Sequence, residues 1–196
     1  MATAVPTQKE KNLTAFSPIK VQPIRLTLAD FYARFDAVED GFKYEFNNGI
    51  IEKTNAMKFN ELYIYSNLLF VFNQTQAFQN RDILVTELNQ KTAIKKIRKP
   101  DIAYIKAENI KTDKDVMSEF VVEIISDNEE KNHVSRKIRE YFNAGVKVLW
   151  LISPEFEMVE VYTSPKDVRI CTGEDVCSAA SVIEGFEMTA TLVFLK

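Results

Sequence analysis

Cysteine, histidine, net positive charge and long apolar runs are all scarce in this chain of 196 residues, and each shortage closes off a class of function. Cys171 and Cys177 are its only cysteines and His133 its only histidine. A lone Cys-x5-Cys pair with one imidazole makes a poor zinc site, which needs four nitrogen and sulfur ligands. With no secretory signal in the sequence, the two thiols read as reduced, in a reducing compartment. No apolar stretch approaches the roughly eighteen residues that span a bilayer. The opening MATAVPTQKEKNLTAFSPIKVQP also lacks the apolar core of a signal peptide. The expectation is a soluble, cytoplasmic protein with no membrane partner. The balance of 25 basic against 28 acidic residues leaves a net charge of −3. That excludes a polycation that binds nucleic acid by bulk charge, so any such contact needs a local patch. No internal repeat or low-complexity block is present.

What is there is an ordinary core. Hydrophobic residues make up 46% of the chain, with fourteen Phe among them. A chain of this length fits one domain that buries roughly 70% of its unfolded surface. Pro6, Pro18 and Pro23 stand among polar residues and mark 1–24 as a mobile tail ahead of a single domain over 25–196. Thr27 reads as the N-cap of a short helix over 28–35, with Asp30 completing a capping box. In FKYEFNNGIIEK, Phe42, Tyr44 and Phe46 alternate with Lys43, Glu45 and Asn47, and Asn48-Gly49 predicts a two-residue hairpin turn. This register sets Glu45 across from Glu52, an unfavourable like-charge pair. Taken alone, both acids read as facing water.

Further along, apolar positions 62, 65, 69 and 72 predict one long helix over 58–78. Strands are expected over 82–94, 101–105 and 119–126, then a helix over 128–146 with Val134, Ile138, Tyr141 and Phe142 on one face. Strands over 147–153 and 158–164 follow. Strands flanked by helices imply an α/β domain with a mixed sheet.

The chemistry gathers around two acids. Glu123 lies in the apolar run FVVEIIS, and Asp101 opens the strand of KKIRKPDIAYI after Pro100. A buried carboxylate costs several kcal/mol unless a cation or hydrogen bonds meet it. On adjacent strands the two acids could share one magnesium-type ion with a backbone carbonyl and waters. Lys137 falls at the border of its helix's apolar stripe. It reads either as a snorkelling lysine or as a cation aimed at the two acids, where it could position a water and stabilise an oxyanion.

YEFNNG at 44–49, KPDIAYI at 99–105, FVVEIIS at 120–126, RKIREYFNAGVKVLWLI at 136–152 and GFEM at 185–188 occur in an order that resembles the PD-(D/E)XK nuclease superfamily. More closely, they resemble the Uma restriction endonuclease family, over residues 27–188. The resemblance implies a restriction-endonuclease-like α/β fold, with a mixed central sheet flanked by helices. It also implies a metal-dependent phosphodiesterase using Mg²⁺, with Mn²⁺ able to substitute. Asp101, Glu123 and the carbonyl of Ile124 would hold the ion. The superfamily's usual lysine position falls on Ile125, and the family supplies that lysine from the next helix, where Lys137 stands. Glu45 matches the family's early glutamate and would complete the catalytic group through a water. The chain departs from the family at Ser126-Asp127-Asn128, His133 and Ile50.

The reading is a Mg²⁺-dependent endonuclease that hydrolyses phosphodiester bonds in DNA. Its alternative is a catalytically inactive nuclease-fold protein that serves as a binding or assembly module. Lys95, Lys96, Arg98 and Lys99 belong to the densest basic run and are expected to contact phosphates. The oligomeric state stays open, a homodimer included.

Overall fold

The computed structural model describes residues 25–110, 112, 116–125 and 131–196. The expected tail at 1–24 lies outside the described residues. The described chain runs α1 (Leu28–Phe35), β1 (Phe42–Asn47), β2 (Ile50–Asn55), α2 (Leu62–Phe72), α3 (Gln76–Gln79), β3 (Ile83–Thr86), β4 (Gln90–Ala93), β5 (Lys96–Arg98) and β6 (Ile102–Ile105). It continues through α4 (Ala107–Ile110), β7 (Phe120–Ile124), α5 (Lys131–Ala144), β8 (Val148–Ser153), β9 (Met158–Ser164), β10 (Asp167–Thr172), β11 (Val176–Ser178), β12 (Glu187–Thr189) and α6 (Ala190–Val193).

These strands form a six-stranded sheet ordered β10-β9-β8-β7-β6-β3, a four-stranded sheet ordered β2-β1-β5-β4, and a β11-β12 pair. Within the large sheet β7 and β8 run parallel and their neighbours antiparallel, so the α/β domain has the expected mixed sheet. The parallel pair needs a crossover, and α5 supplies it. β8 is buried along its whole length, because both of its faces are covered.

Alternation of side chains across the large sheet makes two cores. Ile102, Tyr104, Phe120, Val122 and Trp150 pack on one face with Ile64 and Phe72 of α2 and Phe186. Ala103, Val121, Leu149 and Leu151 pack on the other with Ile138 and Tyr141 of α5. The same parity puts Glu123 on the α5 face, two residues beyond Val121.

Local signals are realised closely. Thr27 and Asp30 form both halves of the capping box. Asn48 and Gly49 both adopt positive φ, as a tight hairpin turn requires, and Glu45 pairs in register with Glu52. Tertiary arrangement changes two other expectations. The long helix over 58–78 is broken, since Thr75 accepts the Phe78 amide and starts α3 as a new helix. Its buried positions are Ile64, Leu68, Val71 and Phe72, and Leu62 is exposed. The single strand over 82–94 is two strands in different sheets, parted where Glu87 takes φ 52°. β5 and β6 likewise belong to different sheets, so Lys99, Pro100 and Asp101 form the step from one sheet to the other.

Gly49 holds the hairpin against the start of α1. A Cβ there would meet the Arg25 Cβ at 2.8 Å and the Leu26 carbonyl at 3.2 Å, at φ +91°. Gly173, at φ +53°, has nothing within 4 Å of the same added atom. Gly49→Ala is therefore expected to cost about 2 kcal/mol or more, and Gly173→Ala about 1, from the left-handed backbone alone. Urea unfolding of the two variants checks that order.

Candidate functional site

The step between the sheets carries Asp101 to the same corner as Glu123. Pro100 has no amide to donate and sits where no ladder bond is needed. One Asp101 oxygen accepts the Ile124 amide of β7 at 2.7 Å. The other receives the Lys43 ammonium of β1, also at 2.7 Å. Glu123 accepts the Tyr141 hydroxyl at 2.5 Å and pairs with Lys137 at 3.0 Å, both from α5. Lys137 also lies 3.6 Å from Glu45. Asp101, Glu123, Ile124, Lys43 and Lys137 line one cavity of about 640 Å³.

Glu45 does not face water, as its strand alternation alone suggested. It is fully buried, and Glu52 is partly buried. The reason is Arg98, which is only 3% exposed. Its guanidinium bonds Glu45 at 3.0 Å and Glu52 with one nitrogen, and takes Glu140 of α5 through Nε and Nη2, both at 2.9 Å. A shared cation thus makes the Glu45–Glu52 pairing tolerable. The Lys99 amide adds a bond to Glu45 at 2.8 Å.

Burial by itself would raise the Glu45 carboxyl, but Lys137, Arg98 and the Lys99 amide reverse this and hold it well below the usual carboxylate range. Burial works against Glu140 in the same way, yet bonds from Arg98 and Thr92 bring it down to about 2. Burial opposes the charge on Lys43, and Asp101 and Glu123 outweigh it, so its ammonium is held above its ordinary value. Burial and Glu123 push the Tyr141 hydroxyl far up, which keeps it a donor.

The structure brings Asp101, Glu123, Lys137 and Glu45 into one group. It separates the expected basic cluster. Arg98 is an internal strut and not a surface cation, so its expected phosphate contact does not carry over. Lys96 pairs with Glu140 at 2.9 Å, Lys95 is exposed, and Lys99 is half-buried. Lys43 and Glu140 were not expected in the site, and Glu52, expected opposite Glu45, was read as facing water. Lys43 has a signal in hindsight, since period two puts it on the face of Glu45.

Glu45, Glu52 and His133 form a group whose ligand atoms lie within 4.8 Å of one another and which could hold a metal ion. The His133 Nε2 is buried without a hydrogen-bond partner among the described residues. Both glutamates, however, already bond the Arg98 cation. Asp101 and Glu123 offer a second set of hard oxygen donors on the same cavity, which Glu52 and His133 also line, and each of these two acids is likewise paired with a cation, Lys43 or Lys137.

The family model described as "Putative restriction endonuclease" (Uma2) matches residues 28–191. The chain belongs to this family. Among solved structures, a putative nuclease belonging to DUF820 from Anabaena variabilis ATCC 29413 superposes with a TM-score of 0.71. It is 18% identical over 86% of this chain and 97% of that one, a likeness of fold. A comparison with curated proteins gives no match. For this Uma2 chain the α/β restriction-endonuclease-like fold is thus established. No helix among the described residues is long and apolar enough to cross a membrane.

Arg98→Met would leave three carboxylates without their common cation and is expected to cost about 3–5 kcal/mol in urea unfolding. Acid should act through the same network. A carboxyl depressed in the fold stabilises fully above its ordinary value of 4.5 and loses that contribution as the pH falls toward about 2. Glu140→Gln should therefore be less stable at neutral pH and show a shallower decline across that window.

Proposed function

We propose that the protein is a divalent-metal-dependent endonuclease acting on DNA. The observation that carries this reading is the single cavity on which Asp101, Glu123 and Lys137 meet, in a chain of restriction endonuclease family. Asp101, Glu123 and the carbonyl of Ile124 would hold Mg²⁺, or Mn²⁺ in its place. The ion, when bound, supplies Lewis acidity toward a phosphoryl oxygen and makes water a better nucleophile at neutral pH.

The protein's own groups do the positioning. Tyr141 fixes one Glu123 oxygen, which sets the orientation of that carboxylate. Glu45 and Glu123 together hold the Lys137 ammonium at the cavity wall. From there Lys137 donates to the attacking water or to the phosphoryl oxygens, where charge grows in the transition state. Glu45 takes part in catalysis through Lys137. Lys95 and Lys99 give a chain of net charge −3 a local positive surface one step from Asp101. Lys96 contributes to that surface from its pair with Glu140.

A second reading draws on the ion pairs themselves. Lys43 and Lys137 already neutralise the two acids, as they would in a non-catalytic binding or assembly module. Metal response separates the two. Under the enzymatic reading Mg²⁺ or Mn²⁺ raises the melting temperature by mass action, and Asp101→Asn with Glu123→Gln abolishes the rise. An equal rise in the double variant, or none in the wild type with an uncleavable oligonucleotide present, removes the metal from this site.

Lys137→Ala should cut the single-turnover cleavage rate by a factor on the order of 10² with metal binding little changed. Lys137→Met keeps the stem and should be as slow; full activity in it would make the lysine a packing residue. For the basic surface, replacing Lys95, Lys96 and Lys99 by Ala should weaken binding to duplexes of any sequence. It should also flatten the slope of log K against log salt by about 0.9 per lost contact. Binding titrations in Ca²⁺ at several salt concentrations read this, and an unchanged slope would place the substrate elsewhere.

A further inference from the structure

We propose that Lys43 is the stand-in for the divalent ion in the metal-free protein, and that ion binding is therefore coupled to the arrival of a phosphodiester that takes up the released ammonium. This rests on the reading of Asp101 and Glu123 as ion ligands.

Three buried carboxylates, Glu45, Asp101 and Glu123, face three buried cations, Lys43, Lys137 and Arg98. Their ion pairs match them closely: Lys43 on Asp101, Lys137 on Glu123 and Glu45, Arg98 on Glu45. With Glu52, Glu140 and Lys96, which pair into the same network through Arg98 and Glu140, five carboxylates face four cations, a net charge of −1. A doubly charged ion entering it alone leaves an excess of one positive charge and must displace the ammonium already on Asp101, which is costly.

Of the three cations, Arg98 is fixed by Glu52 and Glu140 as well, and Lys137 is shared between two acids. Lys43 has its ion pair with Asp101, on the cavity wall. Its four-carbon stem carries a compact charge that can swing from Asp101 into the open cavity. A phosphodiester there would meet both the displaced ammonium and the ion. Linkage makes the effect reciprocal: the phosphodiester tightens the ion by the factor with which the ion tightens the phosphodiester.

The test is Mn²⁺ binding read from the free-ion electron paramagnetic resonance signal. It is run with and without a short phosphorothioate oligonucleotide that resists cleavage, with the signal of oligonucleotide alone subtracted. Wild type should bind Mn²⁺ weakly by itself and roughly tenfold or more tightly with the oligonucleotide. Lys43→Gln removes the competitor, so Mn²⁺ without oligonucleotide should bind about tenfold tighter than in wild type, and the oligonucleotide should add little. Lys43→Arg, able to grip Asp101 with two donors, should bind Mn²⁺ more weakly than wild type. A Lys43→Gln protein that folds by circular dichroism only in Mn²⁺ supports the proposal, since the ion then replaces the missing charge.

Wild-type affinity that ignores both the oligonucleotide and Lys43→Gln overturns the coupling and leaves the metal site standing. Lys43→Arg binding Mn²⁺ as wild type does also overturns it. No Mn²⁺ binding in any of the three proteins overturns the metal reading and this proposal with it.

Discussion

The Arg98 guanidinium is the piece on which the site depends. It sits on β5 and joins Glu45 of β1, Glu52 of β2 and Glu140 of α5, so one cation ties both strands of the hairpin to the crossover helix. The four-stranded sheet is thereby locked against α5 at a chosen rotation of the helix. That rotation decides where the residues one turn along point. Lys137, three residues before Glu140, and Tyr141, just after it, both reach Glu123. A buried charge of this kind adds little stability for its own sake, because desolvation consumes most of the attraction. Its role is to fix geometry, and removing it strands three acids together.

From that lock follows the character of the cavity. Its acids lie at the meeting of two sheets, where β5 hands the chain to β6 through Pro100 and Asp101. Neither sheet alone brings Lys43 to Asp101, or Glu45 to Lys137. The hydrogen bond from the Ile124 amide ties Asp101 to β7, which pairs with β6 and carries Glu123. The ion-paired Lys43, Asp101, Glu123 and Lys137 line the cavity together with the hairpin residues Glu52, Lys53 and Thr54. Such a place suits a reaction in which charge is transferred at a phosphate and little covalent work falls to the protein.

The sequence revealed what short-range physics controls. The α1 capping box, the Asn48-Gly49 turn and the Glu45–Glu52 register depend on residues within a few positions of one another, and each is realised. The inward face of α5 was legible from Ile138 and Tyr141, and Lys137 at its border proves buried. The face of α2 was not, since LYIYSNLLFVF is apolar on nearly every side and fits more than one stripe. β10 passed unnoticed because Cys171 is its one buried residue, which leaves no alternation to read. The switch of sheets at Glu87 and the inward turn of Arg98 are tertiary outcomes. A basic run looks the same whether its members meet water or a buried acid fifty residues away. The resemblance to a nuclease family singled out Asp101, Glu123 and Lys137, but it offered nothing on Lys43, which spacing from Glu45 alone could have raised.

We propose that this ionic corner breaks phosphodiester bonds with a divalent ion held by Asp101 and Glu123. Nicking of supercoiled plasmid by the purified protein tests it most directly, run in Mg²⁺ and in EDTA beside an Asp101→Asn variant prepared identically. Relaxed and linear plasmid is expected in Mg²⁺ with wild type only, and intact supercoils in the other lanes. Supercoiled plasmid left whole by wild type in Mg²⁺ and Mn²⁺, or cut equally by the variant, would contradict it.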